Sequence, residues 1–365
     1  MKHVFNYKSE MLDDNLNKVV AAGLELTKMY ADANGKTGSD YEVASKKFNE
    51  VFAHYCITDA GFEYKNVEQL KNPNITGRTG FREAFQAVVA QIITPVAPVA
   101  VSAQFMDMAE THQIGWGQTA QFVIQSNDLF YVSEIAEGVK HGGMQRIYND
   151  EITVNPTPRN IRFDFPLYQF AAGLFDFGAW SYKMGQSYAG YIQKLVVDSL
   201  TTVITNGLAA SSPYFASGFS DLNHIVVARN VKMANANAQV YGMGTMVALG
   251  KAYPSVVGLQ YGLGEEISKK GFLDLYRGVK LVEIDQAMMP GTVNTTATAM
   301  ISDSTIYYIA MGQFKPIKIV FEGDAATVET VATESSDRVL GLSVTLRMGV
   351  SAVVGSRFGA ITSIV

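Results

Sequence analysis

One cysteine in 365 residues, Cys56, excludes an internal disulfide framework and any zinc site built from several thiolates. A reducing compartment is the default that remains. Charge is also scarce, since Asp, Glu, Lys and Arg make up 17% of the chain against a usual fraction of about 25%. With 48% hydrophobic residues, 11% aromatics and 32 glycines, the surface has to be poor in charge. Such surface commonly ends up buried against partners. The net charge of −5 and a pI near 5.6 argue against a Lys/Arg-rich nucleic-acid-binding module.

Catalytic patterns are missing as well. The five histidines, His3, His54, His112, His141 and His224, include no His-x-x-x-His pair, which excludes the helical zinc-hydrolase motif. The pieces GMG at 242–244 and GLG at 262–264 continue neither into G-x-G-x-x-G nor into Lys-Ser/Thr, so they read as turns and not as a phosphate cradle. GQSYAG at 185–190 lacks the second glycine at the offset of a nucleophile elbow. Ser220, Asp221 and His224 are neighbours in sequence, whereas triad members converge from distant segments, so they read as solvated loop residues. His54 and Cys56, two apart, point away from each other on a helix. The adjacent acids Asp13-Asp14 and Glu265-Glu266 read as solvated, and the sequons at Asn74 and Asn294 as chance matches. No catalytic, cofactor-binding or metal-ligating residue is expected, and no enzyme.

No apolar core of a secretory signal occurs in MKHVFNYKSEMLDDN. Residues 84–106 carry no charge, yet Pro95, Pro98 and three glutamines oppose a membrane span. The expectation there is a buried helix ending near Ile93, followed by an extended proline-rich crossing.

What is present is organised around Asp176 to Gly207. Trp180, Met184, Tyr188, Ile192, Leu195, Val196, Leu200, Val203 and Ile204 recur at three-and-four spacing for about seven turns, with Asp176 as cap and Asn206-Gly207 as stop. At 1.5 Å per residue this helix runs roughly 45 Å, a spine joining regions. Ahead of it, residues 10–33 and a stretch from Ser39 predict two amphipathic helices, the second opened by a Ser39-x-x-Glu42 capping box. Residues 57–80 read as a polar linker, and a third helix begins near Phe81. From Thr111 to Pro166 the pattern is β, with strand-forming runs at 118–125 and 152–165 around a polar segment, Glu134 to Asp150. Two strand runs around an exposed tip describe a long β-arm, which needs a neighbour to lie on. Helices and strands alternate from 208 to 322, and Leu340, Val344, Leu346 and Met348 close the chain on one face of a strand.

This order of parts, together with KGFLDLYRGVKLVEIDQAMMPG at 270–291 and AMISDSTIYYIAMGQFKPIKIVFE at 299–322, resembles the major capsid proteins of tailed bacteriophages. Their shell fold is the Hong Kong 97 type, shared with encapsulins. The resemblance implies an α+β fold with an N-terminal helical arm at 1–80 and a segment leading into the peripheral domain at 81–110. It further implies an E-loop and its base at 111–166, a peripheral domain with the spine helix at 167–207, an axial domain at 208–322, and C-terminal strands of the peripheral domain at 323–365. The segment 1–80 also suits a short scaffold-like element. The implied function is a structural subunit forming pentamers and hexamers of an icosahedral shell around double-stranded DNA. The implied partners are sister copies, a portal, scaffold or cement proteins, and DNA held non-specifically on the inner face, with no membrane. Its place is the virion, after assembly in the host cytoplasm. Lys140, Arg146, Asp150, Glu151 and Arg159, on or near the arm, are expected at inter-subunit contacts. Some relatives cross-link an arm lysine to an asparagine; no Asn occurs from Thr295 to Val365, so Lys140 is expected to act as a charge only. The rival assignments are an encapsulin-type compartment, another virion part such as a tail or baseplate protein, and an α/β enzyme.

Overall fold

The long periodic stretch is one helix, Phe177–Gly207, in the computed structural model. Asp176 caps it as expected, its Oδ1 accepting from Ala179 N at 3.1 Å. Met184, Tyr188, Ile192, Val196, Leu200 and Ile204 form its buried stripe. The structure describes residues 10–32, 38–105, 108–132, 134, 144–207, 212–252, 269–311, 315–331, 339–353 and 357–364.

In chain order, helices α1 (Glu10–Asp32), α2 (Ser39–Asp59), α3 (Pro73–Thr76) and α4 (Thr79–Phe105) come first. Strands β1 (Ala109–Ile114), β2 (Ala120–Ile124), β3 (Asp150–Val154) and β4 (Thr157–Pro166) follow, then α5 (Leu167–Ala171) and the long helix α6 (Phe177–Gly207). Next are β5 (Phe215–Ser217), α7 (Asp221–Ala234), β6 (Gln239–Gly244), α8 (Met246–Gly250), β7 (Leu275–Tyr276), β8 (Val279–Glu283) and β9 (Ile306–Met311). Strands β10 (Ile317–Val331), β11 (Val339–Ala352) and β12 (Phe358–Thr362) end the series. The chain divides into two compact units. One comprises residues 1–102, 157–189 and 323–347, and the other 103–156, 190–322 and 348–365.

The first unit has an aromatic core. Phe52, fully buried, has ring centroids 5.5 Å from Phe85 and 5.3 Å from Phe170, while Phe48 lies 4.9 Å from Phe177. Tilted and edge-on pairs of this kind are favourable beyond the area they bury. Leu26, Phe48 and Phe52 bring α1 and α2 into the core. The described part of 1–80, expected as an arm, is therefore built into the body of this unit. Tyr41 Oη donates to Asp176, the cap of α6, and a side chain at Gly178 would come 3.0 Å from Leu26 Cγ.

Three local expectations are corrected here. α2 has Gly38 as its N-cap and no capping box. Ser39 is already helical, so its hydroxyl is one position too far along to serve the first turn, and it faces Asp40 at 3.4 Å. The linker at 57–80 holds the end of α2, a 3-10 turn at Val67–Lys71 and α3, with Leu70 and Ile75 buried. Asn72-Pro73 marks a helix start: Asn72 Oδ1 accepts from Asn74 N at 3.0 Å, and proline at the first position loses a donor that had no partner anyway. α4 runs on through Pro95 and Pro98 to Phe105 and does not end near Ile93. Each proline deletes one donor and leaves the carbonyl four residues earlier without its helical partner, yet the helix is continuous across both.

The second unit is built on a six-stranded sheet in the order β5-β12-β9-β6-β8-β7, with β6–β8 and β12–β5 parallel. α7 and α8 contribute Val227, Val231 and Leu249 to its buried cluster, with Ile306, Tyr308 and Ile361 from the strands. Gly359 allows the close approach of α7, because a Cβ there would stand 2.8 Å from Val227 and 2.9 Å from Val231. A separate sheet has the order β1-β10-β11-β4, and β2 and β3 form a two-stranded sheet. Along β11, Val344, Leu346 and Met348 are buried while Ser343, Thr345 and Arg347 are half-buried, the predicted alternation. The block 323–365, expected as one group of closing strands, is divided. β12 leaves the others and inserts between β5 and β9, where its Phe358, Ala360 and Ile361 complete the six-stranded sheet.

Candidate assembly surface

β2 and β3 form an antiparallel ribbon with Phe122 opposite Ile152 and Ile124 opposite Asp150. Its root is buried through Ala120, Phe122 and Val154, which gather with Val320 of β10. Arg357 donates to the carbonyl of Gln125 at the outer end of the root. Beyond that point the two legs, 125–132 and 144–149, have no regular secondary structure. They are tied by a side chain in place of a ladder: Tyr131 N donates to Gln145 Oε1 at 2.7 Å, and Gln145 Nε2 donates back to Tyr131 O at 2.5 Å. One glutamine amide thus occupies the place of a partner peptide.

These legs carry apolar surface outward. Leu129 is 91% exposed, Val132 89% and Met144 94%, with Phe130, Tyr131 and Tyr148 also exposed. Single exposed apolar residues are ordinary, but four consecutive ones form a patch that marks an interaction site. Leu129 to Val132 escaped the sequence analysis, although LFYV between QSND and SE is a short apolar run in polar surroundings.

The expected contact residues are distributed unevenly. Lys140 lies outside the described residues. Arg146, Asp150 and Glu151 are exposed on the legs and on β3. Arg159 is half-buried on β4, in the other compact unit, so the structure does not place it on the arm.

The Ser220–Asp221–His224 stretch is not a solvated loop. Ser220 caps α7, its Oγ accepting from Asn223 N at 3.1 Å. His224 is buried one turn later, with Nε2 3.1 Å from the carbonyl of Tyr276 and Nδ1 2.7 Å from the Tyr308 hydroxyl. A carbonyl only accepts, so Nε2 carries the proton and Nδ1 accepts from Tyr308. Asp221 accepts from the Tyr276 hydroxyl and from Arg277 Nη2, the latter at 2.8 Å. Arg277 and Gly278 both have positive φ, the two-residue hairpin turn that joins β7 to β8 and aims the guanidinium at Asp221. Ser220 caps its own helix, while His224 and Asp221 tie α7 to β7, β9 and the turn at Arg277. Cys56 is buried and burial pushes its thiol up; Ser187 Oγ donates to Lys183 O at 2.8 Å along α6.

Burial holds the His224 imidazole below the ordinary histidine value, against a smaller opposing pull from the Tyr276 carbonyl and Asp221. The unfolded chain, with His near 6.5, then binds more protons than the fold as pH drops below about 6.5. Stability is therefore full above pH 6.5 and falls as the pH is lowered from there toward the folded-state value. Urea midpoints measured between pH 7.5 and 5.5 are expected to decline, and His224→Gln flattens that slope while lowering the midpoint throughout. An equal slope in both proteins would assign the pH dependence to other groups.

Among the described residues, no group of three or more His, Cys, Asp or Glu side chains is placed to hold a metal ion, and no helix is long and apolar enough to cross a membrane.

The family model described as "SPbeta prophage-derived putative capsid protein YonB" matches residues 15–362. A search of curated proteins finds no match. Several solved structures are similar. The capsid of a native GTA particle aligns at 11% identity over 72% of this chain and 91% of that one, with a TM-score of 0.48. The capsid of the cyanophage P-SCSP1u aligns at 13% identity over 71% and 86%, with a TM-score of 0.47. A virus-like particle from Pyrococcus furiosus aligns at 12% identity over 74% and 98%, with a TM-score of 0.43. Matched by the family model over nearly its whole length, the chain belongs to this prophage-derived capsid protein family and is a structural protein of a phage-type shell.

Proposed function

We propose that this chain is the major shell subunit, folded in the Hong Kong 97 manner and assembling into pentamers and hexamers of a closed icosahedral particle around double-stranded DNA. The observation that carries the proposal is the exposed run Leu129 to Val132 on an arm whose root is buried, in a chain of the capsid family. An isolated subunit leaves that surface in water, and burial against a sister copy recovers about 25 cal/mol per Å² of apolar area. In this assignment 111–166 is the E-loop with its base, 167–207 the peripheral domain around the spine, and 208–322 the axial domain. Residues 1–80 form a helical addition, 81–110 lead into the peripheral domain, and part of 323–365 returns to it. Arg146, Asp150 and Glu151, with Lys140 and Arg159, set register between copies by charge pairing and contribute little energy. DNA inside meets a chain of net charge −5 and is held weakly and without sequence preference. A portal and scaffold or cement proteins complete the virion, which forms in the host cytoplasm.

Negative-stain microscopy of the protein expressed alone tests this. Spherical shells or capsomer rings support it, and a well-behaved monomer at high concentration overturns it. Fibres or open rings would point to a tail or baseplate part, and a co-purifying enzyme to a compartment.

A further inference from the structure

The root of the arm rests on a seat of mixed chemistry. β1 and β10 pair in parallel with Glu110 opposite Lys318, His112 opposite Val320 and Ile114 opposite Glu322, so these six side chains share one face. Four of the six are titratable. Onto that face the ribbon lays Ala120, Phe122 and Val154, which with Val320 form a cluster of four buried residues. Among the described residues, the cluster under the six-stranded sheet has seventeen.

Phe122 is the centre of the seat. Its ring lies 4.6 Å from the His112 ring and 5.3 Å from the Lys318 ammonium, centroid to centroid and nitrogen to centroid. Glu110 ties both partners together, with Oε1 3.0 Å from His112 Nε2 and Oε2 paired with Lys318 Nζ. Burial pushes the Glu110 carboxyl up, but Lys318 and His112 outweigh it and hold the group below the ordinary carboxylate range. Where β3 ends, Val154 and Asn155 press against Gly349 of β11; a Cβ there would stand 2.8 Å from Val154 Cγ1 and 2.9 Å from Asn155 O. The ribbon thus has a close backbone contact at one end and a charge-and-ring clamp along its length. Ion pairs and ring–cation contacts are directional, so these three side chains fix where the buried Phe122 ring sits on the face.

We propose that Glu110, His112 and Lys318 form a positioning latch on Phe122 that fixes the root of the arm against the β1–β10 face. This rests on the assignment of the arm as the element that meets neighbouring subunits.

Hydrogen–deuterium exchange on the full-length, unassembled chain tests the latch. Lys318→Met keeps an unbranched stem beside Phe122 and removes the charge. It is expected to raise exchange at the β2 and β3 amides at least tenfold and to leave β6 and β9 unchanged. Phe122→Ala is expected to do the same more strongly. Unchanged protection of β2 and β3 in both variants overturns the latch. Simultaneous loosening of β6 and β9 also overturns it, because the root would then be part of the common core. Electron microscopy of the unaltered chain separates the two proposals: absence of shells tells against the shell assignment, while exchange at the root still decides the latch.

Discussion

Leu129→Asp combined with Val132→Asp abolishes shell formation and leaves the subunit folded. Both side chains are almost fully exposed in the single chain, so the folded subunit loses no packing when they are replaced. In the assembly the same positions are expected to be desolvated, and an unpaired carboxylate buried against an apolar neighbour costs several kcal/mol. Because every subunit carries the change and every contact repeats around the shell, the penalty multiplies. Sedimentation velocity and electron microscopy are expected to show subunits or single capsomers at concentrations at least a hundredfold above those at which the unaltered chain closes shells. The thermal midpoint should stay within about 2 °C, as for surface changes of less than about 0.5 kcal/mol. Shells assembling at the original concentration would remove the arm from the interface.

Phe52→Ala acts at the opposite extreme, on folding of the single chain. The ring is fully buried and meets Phe48, Phe85, Phe170 and Phe177, which belong to α2, α4, α5 and α6. Truncating a buried phenylalanine costs about 3–5 kcal/mol through lost transfer energy and the cavity left behind. Against a typical stability of about 5–15 kcal/mol, that loss is enough to leave the unit partly unfolded at 37 °C. Urea denaturation followed by tryptophan fluorescence is the measurement, since Trp180 lies in the same aromatic cluster, 5.5 Å from Phe177. A loss below about 1 kcal/mol would mean that α1 and α2 are an appendage and not part of the core.

Legibility of the fold followed the range of the interactions involved. α6 was legible because its cap, its stripe and its length are all encoded within 32 consecutive residues, and no distant element is needed to read them. The alternation along β11 was legible for the same reason. The path of α4 was not, because the local rule for proline predicts an end near Ile93, whereas the helix is continuous across both prolines. At the arm, the two flanking strand runs were plain in the sequence. The apolar patch at Leu129 to Val132 was not recognised, since four apolar residues outside any period look like the start of a buried strand or nothing at all.

The sequence by itself determined that this protein has one long helix and a pair of strand runs around a polar segment, in a chain poor in charge. Those properties depend on neighbours a few residues away. Only the tertiary structure decided that His224 is buried between Tyr276 and Tyr308, that β12 belongs to a different sheet from β11, and that the arm is buried at its root with Leu129 to Val132 exposed. Burial is a property of what lies opposite a residue, and the partners there are tens to hundreds of positions distant in the chain.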